Sequence, residues 1–377
     1  MSIEKIEQSD FINPKGSCMR QDEMAVLDKP FIIPVFLPNA GCPHQCAFCN
    51  QTAITGERQK KISSEKLNSY INEFINHKGP QRKKIQISFY GGNFLGLKKD
   101  YVCSLLDEAS KFVRQGRVDS LRFSTRPDTI DKDRLVIIKD YPVSTIELGV
   151  QSMDDRVLAM ARRGHTAVDT EKAVCLLKER NYEIGIQMMV GLPGDSDTGA
   201  FATGRRIAGL YPDFVRIYPT LVLDKSPLAG WYRKGEYTPL SLKKCVSLVK
   251  RLYLLFEEKN IIVIRMGLQA SESLSKESTI LAGPYHPAFG HLVFSEIFLD
   301  KALAAMELEN PLRDRISIKV NPKNISRIRG LNNSNIEILK KRFNIKAIQI
   351  IPDLNLTENA LLVEPPIESD FVSGFVC

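Results

Sequence analysis

The chain has 377 residues, is 43% hydrophobic and 25% charged, and carries a formal net charge of +8. This is the composition of a soluble globular protein with one large domain and an appendage, or two ordinary domains, and no apolar run approaches the roughly 20 residues needed to cross a bilayer. Eight cysteines are too few for a disulfide scaffold, and the opening MSIEKIEQSD has no basic-then-apolar leader pattern, so a cytoplasmic chain without membrane contact is expected.

Residues 1–30 show no periodicity and read as a lead-in. Apolar strand-like runs follow at Phe31–Leu37, Ile85–Phe89, Leu121–Ser124, Thr145–Val150, Ile184–Val190 and Phe214–Tyr218. Between them lie amphipathic helical patterns at Glu65–Asn76, Tyr101–Val113, Asp133–Lys139, Thr170–Glu179 and Thr198–Gly209, with Ser63 or Ser64 as N-cap of the first. The runs read as nearly continuous in hydrophobicity, the pattern of strands covered by helices on both faces. Six strand–helix repeats predict a parallel α/β sheet, doubly wound or a partial barrel. Past residue 220 come a helix at Leu242–Glu257, a strand at Ile261–Ile264 and the Pro/Gly/His segment Ala282–His291. A strand–helix–helix–strand unit then occupies Ile316–Val320, Pro322–Arg327, Ser334–Arg342 and Ala347–Ile351. The domain reading is a core over 31–300, a small basic unit over 312–355 and an irregular tail over 356–377.

Each of the six runs is followed by a polar or glycine-rich segment: PNAGCPHQCAFCN, YGGN, STRPD, VQS, GLPGD and YPT. Parallel α/β folds carry their ligand chemistry at the carboxyl ends of the strands, so these segments describe one site on one rim. No GxGxxG or GxxxxGK[ST] occurs, which leaves a dinucleotide fold and a P-loop unsupported.

Cys42, Cys46 and Cys49 have the spacing CxxxCxxC, whereas Cys18, Cys103, Cys175, Cys245 and Cys377 are scattered. Three thiolates on one loop can each bind a different iron of a cubane cluster and leave the fourth iron open for a reactive ligand. The same residues also permit a zinc site completed by His44 or a distant histidine, or a group of unligated thiols. Phe48 is placed to shield a cluster from water or simply to pack the loop.

CxxxCxφC after a first strand, with φ aromatic, resembles the signature of the radical-SAM superfamily. That resemblance covers residues 31–291 and implies a (β/α)6 partial TIM barrel, a 4Fe–4S cluster on the three cysteines and S-adenosylmethionine (SAM) chelated at the open iron. It also implies reductive cleavage to a 5′-deoxyadenosyl radical, with an electron donor such as flavodoxin or ferredoxin. Gly91, Gly92 and Asn93 stand where the superfamily has a GGE motif whose backbone contacts the methionine amino group. Ser124 and Arg126 fall at the position for ribose or carboxylate contacts. Glu147, Gln151 and Arg163 resemble SAM-binding positions in the branch of oxygen-independent coproporphyrinogen oxidases, and Gly191 and Pro193 a turn lying along the adenine. The segments VRIYPTLVLDKSPLAGWYRKGEYTPLSL, IRMGLQ and AGPYHPAFG resemble the radical-SAM part of the Elongator catalytic-subunit family, which modifies wobble uridine of tRNA. No acetyltransferase motif is visible after residue 300. His286 and His291 receive no role.

Between Arg313 and Lys346 ten basic residues face two acidic ones. This makes a polyanion a candidate partner for that region, with a solvated basic face as the alternative, and the Elongator-family resemblance implies that the polyanion is RNA, tRNA in particular. Arg329–Asn333 between the two helices faintly resembles the loop of a KH module, without its second glycine. Three functions follow: a radical-SAM enzyme acting on RNA, one acting on a small molecule such as a porphyrin precursor, or a non-catalytic metal-stabilised RNA-binding protein.

Overall fold

A computed structural model describes residues 30–56, 61–77, 84–268, 274, 279–309 and 314–365. The expected lead-in, apart from Pro30, and residues 366–377 lie outside them, as do Cys18 and Cys377. In chain order the elements are β1 (Phe31–Phe36), α1 (Gln51–Thr55), α2 (Ser64–Asn76), β2 (Ile85–Tyr90), α3 (Lys99–Arg114), β3 (Ser120–Thr125), α4 (Lys132–Ile138) and β4 (Val143–Gln151). Next come α5 (Asp155–Met160), α6 (Ala167–Lys178), β5 (Glu183–Val190), α7 (Asp197–Gly209), β6 (Phe214–Pro219), β7 (Val222–Leu223), α8 (Pro227–Arg233), α9 (Leu242–Glu258), β8 (Ile262–Met266) and β9 (Ile280–Ala282). The chain closes with α10 (Phe289–Glu309), β10 (Arg315–Val320), α11 (Ile325–Arg329), α12 (Ser334–Phe343), β11 (Ala347–Pro352) and β12 (Leu361–Glu364).

Seven strands pair in the order β1-β2-β3-β4-β5-β6-β8, all parallel, as a curled half-barrel; β8 adds one strand to the six expected. Local sequence starts the helices. Ser63, Asp131, Ser196, Ser226 and Ser241 each accept a backbone N–H of the first helical turn, and Thr166 with Asp169 forms a complete capping box.

The strands alternate, which corrects the expectation that helices cover both faces. Ile85, Ile87, Phe89, Leu121, Phe123, Ile146, Leu148, Ile184, Ile186, Val215 and Ile217 point outward into the helix layer, packing with Leu67, Leu106, Val174, Ile207 and Val249 in one core. Their neighbours Gln86, Ser88, Tyr90, Arg122, Ser124, Thr145, Glu147, Gln187 and Arg216 point into the half-barrel, so its interior is polar.

The basic C-terminal unit has its own three-stranded sheet, β11-β10-β12, with β10 and β11 parallel and β12 antiparallel. The segment 361–364, expected within an irregular tail, is therefore a strand that completes this sheet. Helix α10 was not visible in the sequence. It gives Val293 and Ile297 to the main core and Phe298, Ala302 and Met306 to the core of the small unit, so the expected boundary at residue 300 falls inside one continuous helix. A helix apolar on several faces has no amphipathic period to read.

Candidate active site

The cysteine loop extends the β1–β2 ladder past the strand ends. Leu37 N–H donates to Tyr90 O, Asn39 N–H to Gly91 O and Asn93 N–H to Ala40 O, each at 2.8 Å. Gly92 permits this approach, because a Cβ there would lie 2.3 Å from Ala40 O. Further along, Ala47 N–H donates to Ala161 O (2.9 Å) and Leu228 N–H to Ala47 O (2.8 Å), so α5 and α8 both hold the loop. Phe48 packs among Val222, Leu228 and Trp231 on one side and Val157, Ala161 and Leu192 on the other; it acts as a packing wedge.

Cys42 is exposed, Cys49 half-buried and Cys46 buried. Burial, followed by the neighbouring thiols, raises the Cys42 pKa and pushes that of Cys49 up to about 12, while Arg163 opposes both shifts. Three sulfurs on one loop are soft donors of the type that iron–sulfur clusters use, although among the described residues no three His, Cys, Asp or Glu side chains are drawn together around a single metal position.

Arg163 and Gln151 stand beside this group. Arg163 Nη1 donates to Cys46 Sγ at 3.1 Å, and its Nη2 donates to Gly149 O. Gln151 ends β4 at a register shift with φ +68°, which turns its side chain toward Arg163: a Cβ on Gly149 would meet Gln151 Nε2 at 3.1 Å and Arg163 Nη2 at 3.3 Å. Gln151 Oε1 and Arg163 Nε are buried without a hydrogen-bond partner. An orphaned acceptor next to an orphaned cationic donor fits the two ends of an α-amino acid, as in the methionine part of SAM. His165 is buried close by, and burial with the charges of Arg163 and Arg126 depresses its pKa to about 3, so the ring is neutral. His44 lies against Gly164, whose φ of +70° and lack of a Cβ make room for its ring.

Other residues singled out in the sequence are tied up by the protein itself. Asn93 is completely buried: its Nδ2 donates to Gly41 O (3.1 Å), and its Oδ1 accepts from Thr125 Oγ1 (2.7 Å), Thr129 Oγ1 (2.9 Å) and Arg126 N (3.0 Å). It pins the cysteine loop to the end of β3. Arg126 forms a two-point ion pair with Asp128 at 2.9 and 2.8 Å. Ser124 accepts from Gln187 at 3.1 Å, inside the half-barrel. Gly191 carbonyl accepts from Tyr237 OH at 2.6 Å, and Pro193 is buried in the same covered turn. Gly91, with φ +90°, contributes its backbone to the loop pairing.

Glu147, expected near the cofactor, lies at the centre of the half-barrel, fully buried. Its Oε1 accepts from Arg122 Nε (2.7 Å), Tyr90 OH (2.9 Å) and Arg216 Nη2 (3.2 Å), and its Oε2 from Gln187 Nε2 (2.9 Å). Burial alone would raise its pKa, but Arg216 and Arg122 outweigh burial and hold it below the ordinary carboxylate value. Arg122 also stacks on Phe214 at 4.6 Å. Tyr90, Arg122, Gln187 and Arg216 were missed in the sequence; the alternation in IQISFY and LRFST was the signal that placed the first two.

His286 accepts Ala288 N–H at 3.1 Å at the start of α10, and half-buried His291 has its pKa lowered by burial and by Arg327. In the C-terminal unit much of the basic charge is paired: Lys319 with Glu364, Lys323 with Glu358, Lys340 with Glu337, Arg342 with Glu307 and Lys346 with Asp314. Glu307, Glu358 and Glu364 come from outside the basic stretch, so its field is weaker than the sequence count implies. Arg327 lies over the Phe294 ring at 4.1 Å and Arg329 donates to Asn333 Oδ1 at 3.4 Å; among the described residues neither Arg329 nor Lys341 has an ion-pair partner. Among the described residues no helix is long and apolar enough to cross a membrane.

Residues 36–200 match the family described as Radical SAM superfamily, and residues 212–298 match the Radical_SAM C-terminal domain. A tRNA uridine(34) acetyltransferase of Dehalococcoides mccartyi is 30% identical over 57% of this chain and 52% of its own length. An uncharacterised protein of Methanocaldococcus jannaschii is 30% identical over 59% of this chain and 70% of its own length, and human Elongator complex protein 3 is 28% identical over 48% and 37%. The chain thus spans about half the length of the first of these relatives. Among solved structures, the Methanocaldococcus infernus Elp3 with an N-terminal deletion superposes with a TM-score of 0.56 at 20% identity, covering 75% of this chain and 63% of that one.

Proposed function

The chain belongs to the radical SAM superfamily, and on that premise we propose that Cys42, Cys46 and Cys49 hold its 4Fe–4S cluster, that Gln151 and Arg163 receive the methionine end of SAM, and that the substrate is RNA. When bound, the cluster and SAM supply a 5′-deoxyadenosyl radical, the chemistry general to this family. The protein's own part is positional. Asn93 and the Gly91–Gly92 turn fix the cysteine loop, and the Arg163 guanidinium offsets negative charge on Cys46 sulfur. Gln151 and Arg163 present an acceptor and a donor to a zwitterion, and α8 with Phe48 closes the loop's outer side.

The observation carrying this reading is the convergence of the orphaned Gln151 and Arg163 groups on the three-cysteine loop. Anaerobic reconstitution should give about four irons per chain, and dithionite-reduced protein should convert SAM to 5′-deoxyadenosine. Serine at any of the three cysteines should lower iron content and abolish cleavage. Purification with one tetrahedral zinc, or an iron-loaded protein that leaves SAM intact, would overturn the assignment.

RNA as substrate is supported by the tRNA-modifying relatives and by the residual basic charge of the C-terminal unit. Replacing Arg329 and Lys341 with glutamine should weaken tRNA binding and flatten its salt dependence. Unchanged affinity would remove this surface from the reading.

A further inference from the structure

We propose that the floor of the half-barrel, formed by Arg216 and Arg265 with Tyr90, Tyr218 and Gln187, is a binding site for an oxyanion of the substrate, a phosphate or a carboxylate. This rests on the enzymatic reading above and adds the chemical class of group that enters the barrel.

The argument begins with charge. Among the described residues Glu147 is the carboxylate of this layer, and its two oxygens already accept four hydrogen bonds, from Arg122, Tyr90, Arg216 and Gln187. A carboxylate offers about four lone-pair positions, so it is saturated. Arg122 Nη2 and Arg216 Nε lie 2.6 and 2.8 Å from Glu147, yet neither is satisfied as a hydrogen-bond donor. One negative charge thus faces two guanidinium groups.

Arg265 adds a third. The β6–β8 pairing sets Arg265 opposite Arg216 after a register shift, which places both side chains on the concave face. Without that shift, Ile264 would occupy the position. Among the described residues Arg265 has no hydrogen bond or ion pair. Glu183, also on β5, is exposed at the opposite end of the sheet, where its carboxylate accepts from Thr145.

The floor residues keep partial exposure. Tyr90, Gln187, Arg216, Tyr218 and Arg265 are all half-buried, whereas Arg122 and Glu147 beneath them are sealed. Three guanidinium groups around one carboxylate, Arg265 having no partner among the described residues, are costly in a concave, partly dehydrated site until an anion arrives, and planar guanidinium forks match the oxygens of phosphate and carboxylate alike. Tyr90 OH already donates to Glu147 and accepts from Arg216, so it fixes the Arg216 fork, and Tyr218 beside Arg216 adds a neutral hydroxyl.

The test uses the full chain with its cluster in place and no SAM. Thermal unfolding and isothermal titration are followed with inorganic phosphate, malonate and, at matched ionic strength, chloride. Phosphate or malonate should bind saturably and raise the unfolding midpoint, while chloride should not. Arg265→Gln should weaken the binding by about tenfold or more, with Arg265→Lys between the two. Arg216→Gln tests the second cation, and Arg265→Gln keeps the experiment decisive if Arg216→Gln fails to fold. Stronger binding of phosphate than malonate identifies a phosphate-bearing substrate, and the reverse a carboxylate. Equal responses to all three anions, or an undiminished response in Arg265→Gln, would overturn the proposal. Because no SAM is present, its failure is distinguishable from failure of the radical-SAM reading.

Discussion

Arg163 and Cys46, 117 positions apart in sequence, meet at 3.1 Å, guanidinium to sulfur. The contact joins the loop after β1 to the segment after α5, so the loop proposed to carry the metal ligands is tied to the residue proposed to receive the cofactor. Arg163→Lys keeps the charge but loses the fork that also engages Gly149 carbonyl. Iron retention under a chelator should fall roughly tenfold, the usual scale for loss of a residue supporting a metal ligand, and more in Arg163→Ala. Timed iron release by absorbance measures it.

Glu147→Gln removes the carboxylate shared by Arg122 and Arg216. The cost should be about 3–5 kcal/mol, because buried Arg122 and half-buried Arg216 lose their counter-charge together. Urea unfolding reads this directly. A change under 1 kcal/mol would mean that the arginines find water or another anion instead.

The same group gives the protein an acid limb. The folded-state pKa of Glu147 is depressed below its ordinary value of 4.5, so its stabilisation is fully present above that value. It is lost as pH falls through the folded-state pKa. The urea midpoint should therefore hold between pH 7 and 5 as far as this group is concerned, then decline at lower pH. The slope should be shallower in Glu147→Gln.

Asn93→Asp is nearly isosteric but sets a carboxylate oxygen against Gly41 carbonyl, where Nδ2 now donates at 3.1 Å. Ionised, the new group faces an acceptor; protonated, it can donate. Its folded-state pKa should therefore lie above the unfolded value, so the variant should lose stability as pH rises, by about 2 kcal/mol or more at pH 7. The difference in melting midpoint between pH 4.5 and 7.5, variant against parent, checks the sign.

Gly92→Ala places a methyl group 2.3 Å from Ala40 carbonyl, which is backbone and cannot swing aside. The cysteine loop must shift, at a cost of about 1–3 kcal/mol. Reconstituted iron should drop with little change in the circular dichroism of the helices. A fully loaded variant would show that the loop has slack.

Much of this was legible in the sequence, for specific reasons. The CxxxCxxC spacing and the polar segments after each strand are local signals, and the structure assembles them on one rim. The alternation in IQISFY was also local, but it is overshadowed by β4 and β5, where Gly149 and Gly185 interrupt the inward polar rows. The Arg122–Glu147–Arg216 group was hidden because its members come from three strands whose side chains meet only when the sheet curls. The motif position of Asn93 implies a cofactor contact through its backbone and says nothing of its side chain; the four hydrogen bonds to Gly41, Thr125, Arg126 and Thr129 are tertiary facts that no spacing reveals. Helix α10 escaped because two cores share it.

That shared helix fixes a length. At about 1.5 Å per residue, its 21 residues form a strut of roughly 30 Å, rooted at one end in the barrel's packing and at the other in that of the basic unit. A polymer gripped by the far unit would be presented to the barrel at a set reach, as a ruler would set it. Inserting one residue in α10 would rotate the grip by about 100°, and a full turn would change the reach while restoring the angle.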